Sequence, residues 1–179
     1  HLFIVSELLR DNLYELGRSI SRAGHPAYFT IPRLKKIAKQ VLLALEYVHS
    51  LGMIHCDIKP ENIVMKSYSR CLCKVIDFGS SCFLTDNLTS YIQSRSYRAP
   101  EVILGHAYDG RIDIWSTGAV LAEMFTGYVL FSNDSLPRML ARIQGICGGY
   151  PDAMLRAGRH TSEYFTSNLE LYEIVERDN

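Results

Sequence analysis

The chain has 179 residues, enough to bury one sizeable core and about the length of a single domain. Its 19 Lys and Arg balance 19 Asp and Glu, so zero net charge gives no electrostatic reason to expect a nucleic acid or an anionic membrane as partner. The longest apolar stretch, 118–131, is broken by Glu123 and too short for a membrane span, and five irregularly placed cysteines predict reduced thiols in a cytoplasmic and/or nuclear protein.

The first residue is His1, and the apolar run Leu2-Phe3-Ile4-Val5 predicts a strand leaving a core, as in an excerpt of a longer protein. A short helix is expected from Asn12 to Gly17. A long one starts near Thr30 as N-cap with Pro32 in the first turn. Leu34, Ile37, Val41, Leu45 and Val48 keep helical spacing, and Gly52 ends it. Met53-Ile54-His55 reads as a short strand. Ile63-Val64-Met65 and Lys74-Val75-Ile76 read as the arms of a hairpin. A helix from about Asp113 to Phe125 is apolar nearly all round, which predicts a buried central helix rather than a surface one. Another spans Leu136 to Ile146, closed by Gly148-Gly149 and Pro151. The last thirty residues show no period and read as loop.

The chemistry lies in three blocks. His55-Cys56-Asp57-Ile58-Lys59-Pro60-Glu61-Asn62 comes first, then Asp77-Phe78-Gly79, then Ala99-Pro100-Glu101. The hairpin carries the Asp57–Asn62 loop and the start of the Asp77 segment to one edge, so a carboxylate, an amide and a second carboxylate converge. Such oxygens suit a hard cation such as Mg²⁺ beside a triphosphate. Phosphoryl transfer asks a protein mainly to align an acceptor hydroxyl and to neutralise charge. Asp57 would orient the hydroxyl, since a carboxylate of ordinary pKa ~3.9 cannot strip a serine in the ground state. Lys59 would place a point charge near the transferring phosphate, and Asn62 and Asp77 would hold the metal.

These blocks resemble the protein kinases. Cys56 beside Asp57, the run Asp77 to Cys82 and Tyr91-Ile92-Gln93-Ser94-Arg95 are similar to the dual-specificity tyrosine-regulated branch of the group that also holds the cyclin-dependent and mitogen-activated kinases. The resemblance implies an α+β protein-kinase fold overall. Residues 1–179 would then be a partial kinase domain: the hinge and the mainly α-helical C-terminal lobe with a few short strands, to just past its G helix, without the N-terminal lobe or the last helices.

It implies ATP and Mg²⁺ as cofactors and transfer to Ser or Thr of protein substrates, with proline after the acceptor as the group's preference. Glu7 and Leu9 would meet adenine through their backbone, Asn12 and Glu61 would lie near the ribose, and Val64 and Ile76 would line the base pocket. Ser6 stands where a bulkier residue is common and predicts an enlarged cavity behind the base. Tyr91 would be a site of self-phosphorylation with Thr89 as a second site, and Arg95 and Arg98 would pair with the phosphate. Glu101 would pair with an arginine beyond Asn179. Leaving it alone costs about 3–5 kcal/mol, so the 179 residues by themselves are expected to fold marginally and to bind ATP poorly.

Other residues read as structural. His55 is expected to pack on Phe78, and Asp113 to bond backbone donors of the catalytic loop. Cys71 and Cys73 are expected to pack without metal, and 156–160 to form a solvated loop. Cys56 and Cys82 read as two packed thiols in preference to a redox pair. The competing functional readings are a non-catalytic kinase-like scaffold, binding partners near Leu136–Ile146, and a truncated remnant. Intact Asp57, Lys59, Asn62 and Asp77 favour the enzyme.

Overall fold

The computed structural model describes residues 3, 5–23, 28–86, 89, 91–131 and 135–173. Helix α1 (Leu13–Ala23) extends past the expected Gly17, because Ile20 continues the inward face of Leu13 and Leu16 beyond it. Asn12 starts the helix: its side-chain oxygen accepts the Glu15 N–H at 2.8 Å. Helix α2 (Ile31–Ser50) buries Leu34, Ile37, Val41, Leu45 and Val48, spaced as expected. Each such aliphatic chain contributes about 1.5–3 kcal/mol on burial. Thr30 occupies the cap position, but its hydroxyl caps nothing, and the fixed φ of Pro32 sets the first turn instead.

Strand β1 (Met53–Ile54) follows. The expected hairpin is β2 (Ile63–Ser67) with β3 (Leu72–Val75), Ile63 opposite Val75 and Val64 opposite Lys74. Its ladder shifts between Met65 and Ser67, leaving Lys66 as the extra, bulged residue. β4 (Cys82–Phe83) pairs antiparallel with β1, Ile54 opposite Cys82.

Then come α3 (Pro100–Ile103), α4 (Arg111–Thr126), α5 (Leu136–Cys147) and α6 (Asp152–Ala157). Helix α2 packs on β3 and α4, and one core joins α1, α2, the hairpin and Val120 of α4. A second core gathers α3, α5 and α6 around Leu104, Met139 and Phe131.

Three expectations are corrected and one, for α4, is narrowed. Phe3 and Val5 form no strand and are 83% and 95% exposed; His1, Leu2 and Ile4 of the same run lie outside the described residues. Helix α4 is the expected central helix, packed on α2, but one side of it is open. Ile112, Asp113, Ser116, Thr117, Ala119, Val120 and Glu123 face inward, while Ile114 and Phe125 stay exposed. Periodicity cannot show this, since apolar residues occupy both faces. Residues 152–157 are helical, started by Pro151 and tied by the spaced pair Asp152–Arg156. The 156–160 stretch also docks rather than floating: His160 N–H donates to the Leu104 carbonyl at 2.9 Å. Gly105, at φ +66, must be glycine, because a Cβ would lie 2.4 Å from the His160 ring.

No helix among the described residues is long and apolar enough to cross a membrane.

Candidate active site

The loop after β1 hangs from α4. Asp113, fully buried, accepts the His55 N–H at 2.9 Å and the Cys56 N–H at 3.0 Å, and its Oδ2 lies 2.8 Å from the His49 ring. These bonds hold Cys56 at φ +66, a left-handed conformation that non-glycine residues rarely adopt. His55 is buried with its ring 5.0 Å from that of Phe78. Its Nε2 lies 3.0 Å from the Ile76 carbonyl and its Nδ1 3.2 Å from the Asp57 amide. A carbonyl can only accept and an amide only donate, so the proton sits on Nε2. His55 thereby ties the Asp57 loop to the residue before Asp77. Both structural readings, of His55 and of Asp113, hold.

The Asp57 carboxylate is a hub. Its Oδ1 accepts from the Ser94 hydroxyl at 2.8 Å. Its Oδ2 accepts from Lys59 at 2.7 Å and from the Asn62 amide at 3.2 Å. The same Asn62 Nδ2 donates to the Asp57 carbonyl at 2.8 Å. With its nitrogen thus spent, the Asn62 Oδ1 has no partner among the described residues and is free to meet a cation.

The structure therefore unites Asp57, Lys59 and Asn62. Asp77 is joined through the backbone alone: Ile76 N–H donates to the Asn62 carbonyl at 2.9 Å. The Asp77 side chain is exposed, and one oxygen takes the Gly79 N–H at 3.2 Å. Asp77 is left-handed too, at φ +65.

Asp57 faces a cavity of about 500 Å³ that Tyr91, Gln93, Ser94, Arg95 and Arg98 also line. Gln93, buried at φ +62, is fully satisfied. Its amide nitrogen donates to the Ile112 carbonyl at 2.9 Å and the Ser116 hydroxyl at 2.8 Å, and its oxygen accepts from Ala99 at 2.9 Å. Arg98 donates to the carbonyls of Ile92 and Gln93 at 2.8 and 2.9 Å, and its guanidinium stands 5.7 Å from the Tyr91 ring. Burial lowers its pKa, and the neighbouring Arg95 adds to that. Tyr91 is 87% exposed, and Thr89 gives its carbonyl to the Tyr108 hydroxyl at 2.8 Å.

The remaining expected residues lie around the hairpin. Asn12 bridges to Val64, and Val64 is buried while Ile76 is half-buried. Glu7 is exposed and Leu9 half-buried. The Glu61 side chain turns the other way. Its Oε2 is buried with no hydrogen-bond partner among the described residues, and its charge acts on Tyr97 and Glu123, which share a 2.7 Å bond. Burial pushes the Glu101 pKa up, against the pull of its own backbone N–H and of Arg111.

Cys71 and Cys73 are buried, free thiols, and burial pushes Cys73 up to about 12. The Cys56 and Cys82 sulfurs lie 3.5 Å apart, both as thiols. Sequence reasoning gave Ser94 and Gln93 no role. Their only signal was membership of the Tyr91–Glu101 pattern, which carries no contact information.

Comparison with known proteins agrees with this geometry. The family model described as Protein kinase domain matches residues 1–167, so the site belongs to a protein kinase. The chain is 41% identical over all 179 residues to Serine/threonine-protein kinase ppk5 of Schizosaccharomyces pombe, covering 21% of that protein. It is 42% identical over 167 residues (93% of the chain) to Dual specificity tyrosine-phosphorylation-regulated kinase 3 of Homo sapiens, covering 28% of it. It is 41% identical over the same length to kinase 4 of that series, also of Homo sapiens, covering 31% of it. The chain belongs to the dual-specificity tyrosine-phosphorylation-regulated branch of the protein kinases. It spans between a fifth and a third of the length of these relatives.

Proposed function

We propose that the complete protein transfers the γ-phosphate of ATP to serine or threonine hydroxyls of protein substrates, and that this chain is its C-terminal lobe. The supporting observation is the Asp57 carboxylate, held on both oxygens by Ser94, Lys59 and Asn62 beside the cavity along 91–98. Asp57 receives the acceptor hydroxyl and fixes its direction. Lys59, already 2.7 Å from that carboxylate, places its charge where phosphate oxygens gather. Ser94 keeps the 91–98 segment in register with the loop. Asn62 and Asp77 suit Mg²⁺, because each offers an oxygen that no other described residue takes, from two backbones bonded to each other. Bound there, the ion neutralises phosphate charge. The backbone of Glu7 and Leu9, with Asn12, Val64 and Ile76, completes the nucleotide site against a preceding lobe.

The finer reading adds Tyr91 as a self-phosphorylated residue, Thr89 as a second site, and Arg95 and Arg98 as phosphate partners. Exposure of Tyr91 and the guanidinium over its ring support it. A proline after the acceptor is favoured because the left-handed Gln93 gives its carbonyl to Arg98. A substrate N–H arriving there would lose its bond to water and gain none, whereas proline has no N–H to lose. The cysteine pattern supports a cytoplasmic and/or nuclear setting.

Asp57→Asn in the complete protein tests the central claim. Transfer to a serine–proline peptide should fall at least about 100-fold with KM for ATP nearly unchanged. Undiminished transfer would refute it, and transfer to serine–alanine peptides at the same rate would refute the proline preference.

A further inference from the structure

The 7–12 segment is tied to the hairpin at both ends, by bonds of different kinds. At 10–12 the tie is backbone and buried contact. Arg10 N–H donates to the Met65 carbonyl at 2.8 Å, Met65 N–H donates to the Asp11 carbonyl at 3.0 Å, and Asn12 bridges to Val64. Tyr68 adds its hydroxyl to the Asp11 carboxylate at 2.7 Å. At residue 7 the tie is ionic. One Glu7 oxygen meets Lys66 at 2.9 Å and the other meets Lys74. Between the two ends, Leu8 is 99% exposed and Leu9 half-buried.

The lysines are placed for this by the hairpin itself. Lys74 stands directly opposite Val64, and opposite residues of an antiparallel pair share a face. Lys66 is the extra residue of the bulge, and a bulge re-aims its side chain. The face that carries Val64 thus also carries two cations that converge on one carboxylate. Those two bonds are what pull the Glu7 pKa down, Lys74 more than Lys66.

We propose that Lys66 and Lys74 are positioning residues: by gripping the Glu7 carboxylate from both sides they fix the 7–9 backbone over the Val64 face, and so tune the affinity of the complete protein for ATP. This rests on the reading that this backbone meets the nucleotide. An exposed ion pair adds little to overall stability, so the lysines act on the place of the strap and not on the fold.

The test uses the complete protein, with KM for ATP and kcat measured for wild type, Lys66→Met/Lys74→Met, Glu7→Gln and Lys66→Arg/Lys74→Arg. The methionine pair and Glu7→Gln should raise KM about three- to tenfold with kcat within about twofold, and the arginine pair should stay near wild type. Raising salt well above about 0.15 M should lift the wild-type KM more than that of Glu7→Gln, narrowing the gap between them. Hydrogen exchange should quicken at amides 7–9 in the methionine pair, with α2 and α4 unaffected. An unchanged KM in the methionine pair, or the same salt response in Glu7→Gln as in wild type, overturns the proposal. Absence of any ATP-dependent transfer by wild type would instead overturn the kinase reading, while the exchange experiment still decides whether the lysines hold the strap.

Discussion

Asp113→Ala removes the acceptor from which the catalytic loop hangs. Two backbone N–H groups, of His55 and Cys56, then lie buried without a partner. Each orphaned donor costs about 1–3 kcal/mol. The His49 ring, a quarter exposed, recovers its bond from water and adds little. Against this, Cys56 is released from a left-handed conformation that costs about 1–2 kcal/mol, but only if the loop moves, and movement displaces Asp57. The net loss is about 3 kcal/mol. At ~2–4 °C per kcal/mol for a chain of this size, Tm falls by ~6–12 °C. Asp113→Asn should lose less, because its amide oxygen still accepts one of the two donors. Trp115, the chain's sole tryptophan and stacked on Phe131 at 5.3 Å, reports urea unfolding of wild type and both variants. A loss below about 1 kcal/mol for the alanine variant would show that these two bonds do not hold the loop.

Burial, and next to it the charge of Glu61, raise the Glu123 pKa above its usual 4.5, against the pull of the Tyr97 hydroxyl. The folded state therefore binds the extra proton, so stability from this group is present in acid and lost as pH rises from about 4.5 through its folded pKa. Glu123→Gln, which still accepts from Tyr97, should flatten stability across that window; an unchanged slope in urea titrations at successive pH values counts against it. Burial, followed by the contact with Cys82, pushes the Cys56 thiol well up, whereas Cys147 is exposed. Iodoacetamide at pH 7.5 should label Cys147 first and Cys56 only on unfolding, as read by peptide mass; early labelling of Cys56 defeats this. In the complete protein, ATP analogues with a bulky base substituent should compete better than with its Ser6→Phe variant, and equal competition would end the enlarged-pocket reading.

Most of the architecture was legible because it follows from short-range rules. The α2 stripe, the hairpin arms and the Asp113 anchor come from spacing and from the identity of a carboxylate on an apolar helix. What was not legible depends on which neighbour arrives. Apolar residues on both faces of α4 could not say that Ile114 and Phe125 would be left outside. Nor could a loop composition reveal that 158–160 finds the Leu104 carbonyl. At the site, Asp57, Lys59 and Asn62 are joined as the motif suggested, but Asp77 keeps its side chain to its own turn. Ser94 became visible only through its 2.8 Å bond to Asp57.

Three side chains bordering the cleft, Cys56, Asp77 and Gln93, sit where a backbone prefers glycine. At Gln93 and Cys56 glycine would lose more than strain, because Gln93 makes three buried side-chain bonds and Cys56 fills part of the core. Asp77 differs: its side chain is exposed and bonds only the Gly79 N–H among the described residues, so selection for thermal tolerance alone would be drawn to glycine there. That gain would erase the oxygen proposed for the metal, so sturdiness and turnover pull in opposite directions at Asp77, and variants enriched for heat resistance should keep it whenever activity is selected alongside.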